Sequence, residues 1–377
     1  MALSWRYSVL ADRHRALGSK LEDWNGMGTA WTYAKDISVD HVAIRTKAGL
    51  MDVSGLKKLY LVGPHSSAIL NYATTRDVTK ITPGKSAYAC MLNDAGHFIE
   101  DCILYRTGPS AWMVVHGSGA GHETLTKYVV GRNAAMMVDD DLHDLSLQGP
   151  IAVDFLAKHV PGIRDLKYFH HMPATLFGKP VTISRTGYTG ERGYEIFCKG
   201  EDAGLIWDTI LADGKPMGIV PACFTTLDYL RVESYLLFYP YDMSQMYPFD
   251  EDPPGDSLWE LGLDFTVSPG KNDFNGADAH YRLKGRERFK IFGVLVEGTK
   301  AADMGDPIFM GGKKVGVVTC AMFSTLTNKS MAIARLEVPA AVQGTKLEIR
   351  GKNIQAGAIA HTLPFDDVEK KKRTAVG

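Results

Sequence analysis

The run Ser184-Arg-Thr-Gly-Tyr-Thr-Gly-Glu-Arg-Gly-Tyr-Glu-Ile196 sets three glycines between strand-like flanks. Glycine lets backbone approach a ligand closely. Tyr188 and Glu195 would then present a ring and a carboxylate at the same place. A planar heterocycle with N–H donors suits that pair, because a carboxylate accepts two N–H bonds while a tyrosine stacks. A plain hairpin turn is the alternative reading of these residues alone.

Working outward, residues 58–62, 103–106, 111–116, 181–184, 194–197, 292–297 and 314–319 read as strands. Each is rich in β-branched or aromatic residues and bounded by turn formers. Helices are expected over 42–48, 66–72, 121–130, 151–159, 201–211 and 225–236. Strands and helices mix without βαβ alternation, so the class is α+β. The charged stretch Leu283-Lys-Gly-Arg-Glu-Arg288 precedes a β-rich run, which marks a boundary near residue 285. The expected division is 1–284, a C-terminal β-domain over 285–368, and a charged, solvated tail over 369–377. The acidic, proline-broken segment from Asp250 to Asp256 reads as an exposed hinge or lid.

Composition narrows the function. Lys plus Arg total 42 and Asp plus Glu total 43, so the 377-residue chain carries a net charge of −1. That balance disfavours a nucleic-acid binder. No apolar stretch reaches the ~18 residues of a membrane span. The opening Met-Ala-Leu-Ser-Trp-Arg lacks the apolar core of a signal peptide, so a cytoplasmic protein is expected. Cys90, Cys102, Cys198, Cys223 and Cys320 show no CxxC pair, which suggests reduced, buried thiols and no metal site. Gly117-x-Gly119-x-Gly121 follows a strand, but its spacing departs from the dinucleotide pattern GxGxxG.

Two further clusters could carry chemistry. A turn at 93–96 joins two strand-like runs, so Tyr88 and Asp101 can face one another across a hairpin. Glu100 and Asp101 alternate in direction, one toward a pocket and the other toward solvent. Asp101 enters the apolar run Cys102-Ile-Leu-Tyr, where a carboxylate needs a partner or a task. Asp228, Arg231 and Ser234 share a helix face, either as a surface ion network or with Arg231 clamping an anionic ligand group.

In order and spacing, these motifs resemble the folate-dependent aminomethyltransferases, the T-protein family of the glycine cleavage system. The likeness runs from about His14 to Phe365, through Asp52-Val-Ser54, Thr75-Arg-Asp-Val78, Pro83-Gly-Lys-Ser-Ala-Tyr88, Leu147-Gln-Gly-Pro150 and Leu230-Arg-Val-Glu233, with 184–196 its strongest part. The resemblance implies a three-domain ring, built from two interleaved folate-binding subdomains and a C-terminal β-barrel-like domain. It implies tetrahydrofolate as cofactor and a small-molecule one-carbon donor, or a lipoyl carrier protein delivering an aminomethyl group. By the same resemblance Asp101 is the catalytic aspartate, with Tyr88 at an active-site position; His116, where the family pattern has an asparagine, is a further catalytic candidate as a base. Tyr168, Tyr188, Glu195, Arg231 and Tyr239 fall on folate or active-site positions.

The sequence departs from the T-protein pattern at Gly55-Leu56, at His116, across 218–228 and at Asp366-Asp367. These departures suggest a retained folate side and an altered donor, in a demethylase-type one-carbon transferase. The candidate donors are a methylated amine, a methoxylated aromatic, a sulfonium or the aminomethyl-lipoyl carrier, and Asp101 counts against the sulfonium. His97, His116, His170 and His171 are possible bases, with a structural role favoured for the last two. A non-catalytic folate-binding relative is the competing class.

Overall fold

The computed structural model describes residues 6–247 and 254–376. Helices and sheets are mixed, as the α+β expectation required. A five-stranded sheet runs in the order Ser86–Leu92, Phe98–Gly108, Ala111–His116, Lys57–Val62, Ala135–Val138. A six-stranded sheet runs His171–Leu176, Lys179–Ser184, Gly193–Lys199, Leu142–Gln148, Ala48–Asp52, Ile219–Pro221. The chain enters the six-stranded sheet at Ala48, leaves it to build the five-stranded one, and returns at Leu142. The two sheets are therefore interleaved in sequence.

The third unit is a closed six-stranded barrel between Phe289 and His361, filled by Val294, Ile308, Val318, Ala332, Leu336 and Ile349. Barrel closure leaves no strand edge unpaired. The helices fall where the apolar spacing places them, with small changes at their ends. The helix expected over 42–48 spans Ile37–Thr46, because Ala48 already pairs with Ile219 as a strand. The helix expected over 151–159 is only Ala152–Leu156.

Alternation along Phe98–Gly108 decides what each residue meets. Cys90 lies opposite Asp101, and Tyr88 opposite Ile103. Asp101, Ile103 and Tyr105 thus share one face, while Cys102 and Leu104 pack into the sheet's own core with Trp112 and Val114.

Two expectations are corrected. Residues 250–253 of the acidic segment lie outside the described residues, but Asp256 is no exposed lid acid. It is 1% exposed and accepts a 2.7 Å bond from Arg335 Nη1, together with bonds from Ser244 N and Oγ. A buried guanidinium needs such a counter-ion. The tail also does not float free. The main-chain oxygens of Arg373 and Ala375 both accept bonds from Arg185 Nη2, and a short helix forms over Lys371–Thr374. Arg185 is itself 1% exposed, so docked tail carbonyls satisfy donors that would otherwise be buried unpaired.

Candidate functional site

A cavity of about 760 Å³ opens between the two sheets, the helix Phe224–Ser234 with the loop after it, and the tail. Its walls are largely apolar or aromatic: Trp24, Leu56, Ile103, Val115, Phe224, Leu227 and Phe238 line it. Tyr88, Asp101, His116, Tyr168, Tyr188, Glu195 and Tyr239 all border this one space. The structure thus gathers seven of the eight residues singled out in the sequence.

Asp101 stands on the wall formed by the five-stranded sheet. Tyr88 reaches it diagonally across the hairpin, and its hydroxyl donates to Asp101 Oδ2 at 2.7 Å. Burial pushes the Asp101 carboxyl up to about 7, the neighbouring Glu100 charge adds to that rise, and the Tyr88 bond opposes it. A carboxyl titrating near neutrality can both give and take a proton there.

Glu100 is the residue that sequence reasoning misplaced. It is 0% exposed and does not meet solvent. Its Oε2 lies 2.7 Å from His116 Nδ1, and its Oε1 accepts the backbone N–H of Asp101 at 3.1 Å. His116 thus borders the cavity but turns its Nδ1 to Glu100, and bears on Asp101 through that carboxylate. The glycines of 117–121 close over this pair: a Cβ on Gly119 would stand 2.3 Å from Ile99 O, and one on Gly121 2.9 Å from His116 Nδ1. Close packing accounts for Gly119 and Gly121.

At another wall, Glu195 is buried and accepts bonds from Thr186 Oγ1 and, at 3.2 Å, from the Tyr105 hydroxyl. Burial raises its pKa against those two bonds. Tyr105 has no predicted role in the sequence, yet its place two residues after Ile103 on the cavity face was a usable signal. Tyr188 donates its hydroxyl to the main-chain oxygens of Leu236 and Leu237, which pins its ring against the cavity. Tyr168 is half-buried; burial raises its pKa while the Arg373 guanidinium beside it draws the value down. Tyr239 leans on Phe98, with ring centroids 5.9 Å apart.

Arg231 is the exception. Neither a surface network nor an anion clamp describes it. Its Nε is held by Asp228 Oδ1 and its Nη1 by Asp242 Oδ2, both at 2.7 Å, and it does not border the cavity. Asp242 also accepts from Thr319 of the barrel, so Arg231 ties the helix Phe224–Ser234 to the third unit. His171 bonds Ser86 at 3.1 Å, and burial lowers its pKa to about 4, in keeping with a structural role. All five cysteines are buried and unbridged. Among the described residues no helix is long and apolar enough to cross a membrane.

Two interleaved sheets walling one acid- and tyrosine-lined cavity, followed in the chain by a closed barrel, define the class: an α+β one-carbon transferase of the aminomethyltransferase type. The chain belongs to the glycine cleavage T-protein family. Residues 10–271 match the GCVT N-terminal domain and residues 290–367 the glycine cleavage T-protein C-terminal barrel domain. The chain is 67% identical, over 100% of both sequences, to the heme-dependent oxidative N-demethylase gamma subunit of Ectopseudomonas mendocina. It is 31% identical to an aminomethyltransferase of Streptomyces coelicolor, over 96% of this chain and 97% of that one. It is also 31% identical to a trimethylamine-oxide aldolase of Ruegeria pomeroyi, over 96% of this chain and 47% of the other. The crystal structure of aminomethyltransferase T from Bartonella henselae superposes with a TM-score of 0.86 at 25% identity, covering 96% and 98% of the two chains. These likenesses make the chain an enzyme of one-carbon transfer and a divergent, demethylase-type member of its family.

Proposed function

We propose that this chain joins a one-carbon unit at the oxidation level of formaldehyde to tetrahydrofolate, and that a partner protein generates the unit. The observation that carries the proposal is the Tyr88–Asp101 pair, a carboxyl with a pKa of about 7 on the wall of a folate-sized cavity. The relatives add support. An oxidised N-methyl group, a methyl group cleaved from an amine oxide and an aminomethyl group all carry carbon at that one oxidation level. A gamma subunit also implies companions that handle the methylated amine.

The residues suit the cofactor. About 760 Å³ lies within the range of about 300–1,000 Å³ usual for small-molecule sites. Glu195 would accept the N–H groups of the pterin, with Tyr188 and Tyr168 flanking the rings, and the apolar walls would exclude water. The buried Arg373 Nε, which has no hydrogen-bond partner, leaves a donor available for an anionic group. Bound tetrahydrofolate supplies N5 and N10 as nucleophiles, and joining both to one formaldehyde carbon releases one water and needs no oxidant. Asp101 then serves at two moments: it takes a proton from an amine N–H and gives one to the departing oxygen. Tyr88 holds the carboxyl in place, and Glu100 keeps its proton affinity high.

The test supplies the protein with tetrahydrofolate and formaldehyde, and in parallel with methylated amines and an aminomethylated lipoyl carrier. The expected result is 5,10-methylene-tetrahydrofolate formed from formaldehyde faster than in the protein-free mixture, measured by mass. No acceleration with formaldehyde, or a 5-methyl product from the amine alone, overturns the proposal.

A further inference from the structure

Arg231 is occupied by two carboxylates, and an acid, Asp367, stands where the family resemblance places an arginine, yet a folate ends in carboxylates that need cations. The tail brings two cations, Lys370 and Arg373, to the cavity. After the barrel, the N–H groups of Phe365 and Asp366 bond Glu233 O at 3.0 Å, and the chain turns back across the cavity. Asp367 accepts the N–H groups of Lys371 and Lys372 at 2.8 and 2.9 Å, which folds the tail into one compact strap. Glu191, from the glycine-rich run, meets Lys372 at 3.3 Å and fastens the strap from the other side.

Most charges on the strap are spent on one another. Lys371 pairs with Glu369, and Lys372 with Asp366 and Glu191. Lys370 and Arg373 are the two that border the cavity. Lys370 is exposed, lies 5.5 Å from the Phe265 ring centroid, and meets no carboxylate among the described residues. Arg373 is 8% exposed, its Nε is buried without a partner, and its Nη2 has only a long 3.5 Å contact to Ser234 O. Besides that contact the guanidinium has only the Tyr168 hydroxyl beside it and meets no carboxylate among the described residues, and a carboxylate is its matching partner.

We propose that the strap is the anion seat of the cavity, with Lys370 and Arg373 binding the glutamyl carboxylates of the folate. This rests on the folate reading above. The strap would then do the work left undone by Arg231, and ligand binding would draw the tail more firmly against Arg185.

The test compares two probes by calorimetry: tetrahydrofolate, and 6-methyltetrahydropterin, which keeps the ring but has no carboxylates. For Lys370→Glu, an exposed position, affinity for tetrahydrofolate should fall at least about tenfold while pterin affinity stays within about twofold. Arg373→Gln should act in the same direction, with partial rescue by Arg373→Lys, and an unchanged melting temperature of Lys370→Glu shows that the fold is intact. Equal losses for both probes, or an unchanged tetrahydrofolate affinity in Lys370→Glu, overturns the anion seat alone. Failure of tetrahydrofolate to bind the unaltered chain overturns the folate reading as well.

Discussion

Asp101 and Glu233 are both carboxylates drawn away from bulk water, and their proton affinities move in opposite directions. Burial lifts Asp101 to about 7, and no cation offsets it. Burial also pushes Glu233 upward, but His41 and Arg45 bond it at 3.0 and 2.8 Å and bring it down to about 2. Arg45 further bonds Glu191 and the Thr189 oxygen, so that region is a matched ion network joining two helices to the glycine-rich run. The contrast separates two uses of a buried charge. A carboxylate with its cations in place holds structure, and one without them keeps a proton to move.

The comparison can be broken most severely at the matched end. Arg45→Met should cost about 3–5 kcal/mol in denaturant unfolding, because it removes the buried guanidinium shared by two buried acids and leaves Glu233 only His41 and Glu191 only the longer Lys372 contact. A loss below about 1 kcal/mol would show that the network adds little. Next is Asp101→Asn, expected to cut turnover at least about 10²-fold, equivalent to about 2.7 kcal/mol, with folate binding largely kept. Full turnover in that variant would remove Asp101 from the reaction.

The two acids should also respond oppositely to pH. The raised Asp101 stabilises relative to its ionised form at low pH and loses that contribution as pH rises through about 7. Asp101→Asn should therefore gain in melting temperature over the parent as pH rises from about 4 to about 7, with the difference levelling off above that. Glu233, with its lowered pKa, contributes above the ordinary glutamate range and loses it as pH falls toward about 2. Identical pH profiles for Asp101→Asn and its parent would refute the raised carboxyl. The smallest effect is expected for Glu195→Gln, a loss of about tenfold in folate affinity, since one of several pterin contacts is weakened. Unchanged affinity would remove Glu195 from the site.

Much of the architecture was legible because local chemistry and tertiary structure agree. The strands Ala111–His116 and Gly193–Lys199 and the helix Ser66–Ala73 follow alternation or helical spacing almost to the residue. Tyr88 and Asp101 were legible as a pair because a hairpin sets their separation. Glu100 was not, since alternation says which face a side chain takes but not whether that face is wet or closed by a helix. Arg231 and the strap failed for a related reason: their partners, Asp242 and Arg185, lie 11 and 188 residues away in sequence.

By itself the amino-acid sequence determined the α+β class, a C-terminal β-domain beginning near residue 285, the hairpin that joins Tyr88 to Asp101 and the family to which they belong. Those features rest on short-range periodicity and on motif order, both written along the chain. Only the tertiary structure decided which charges are spent and which are left over. It bound Arg231 to Asp228 and Asp242, placed Glu100 and His116 behind Asp101, and brought Lys370 and Arg373 back to the cavity. Burial and pairing set a charge's energy, and both are properties of the folded surroundings rather than of the residue.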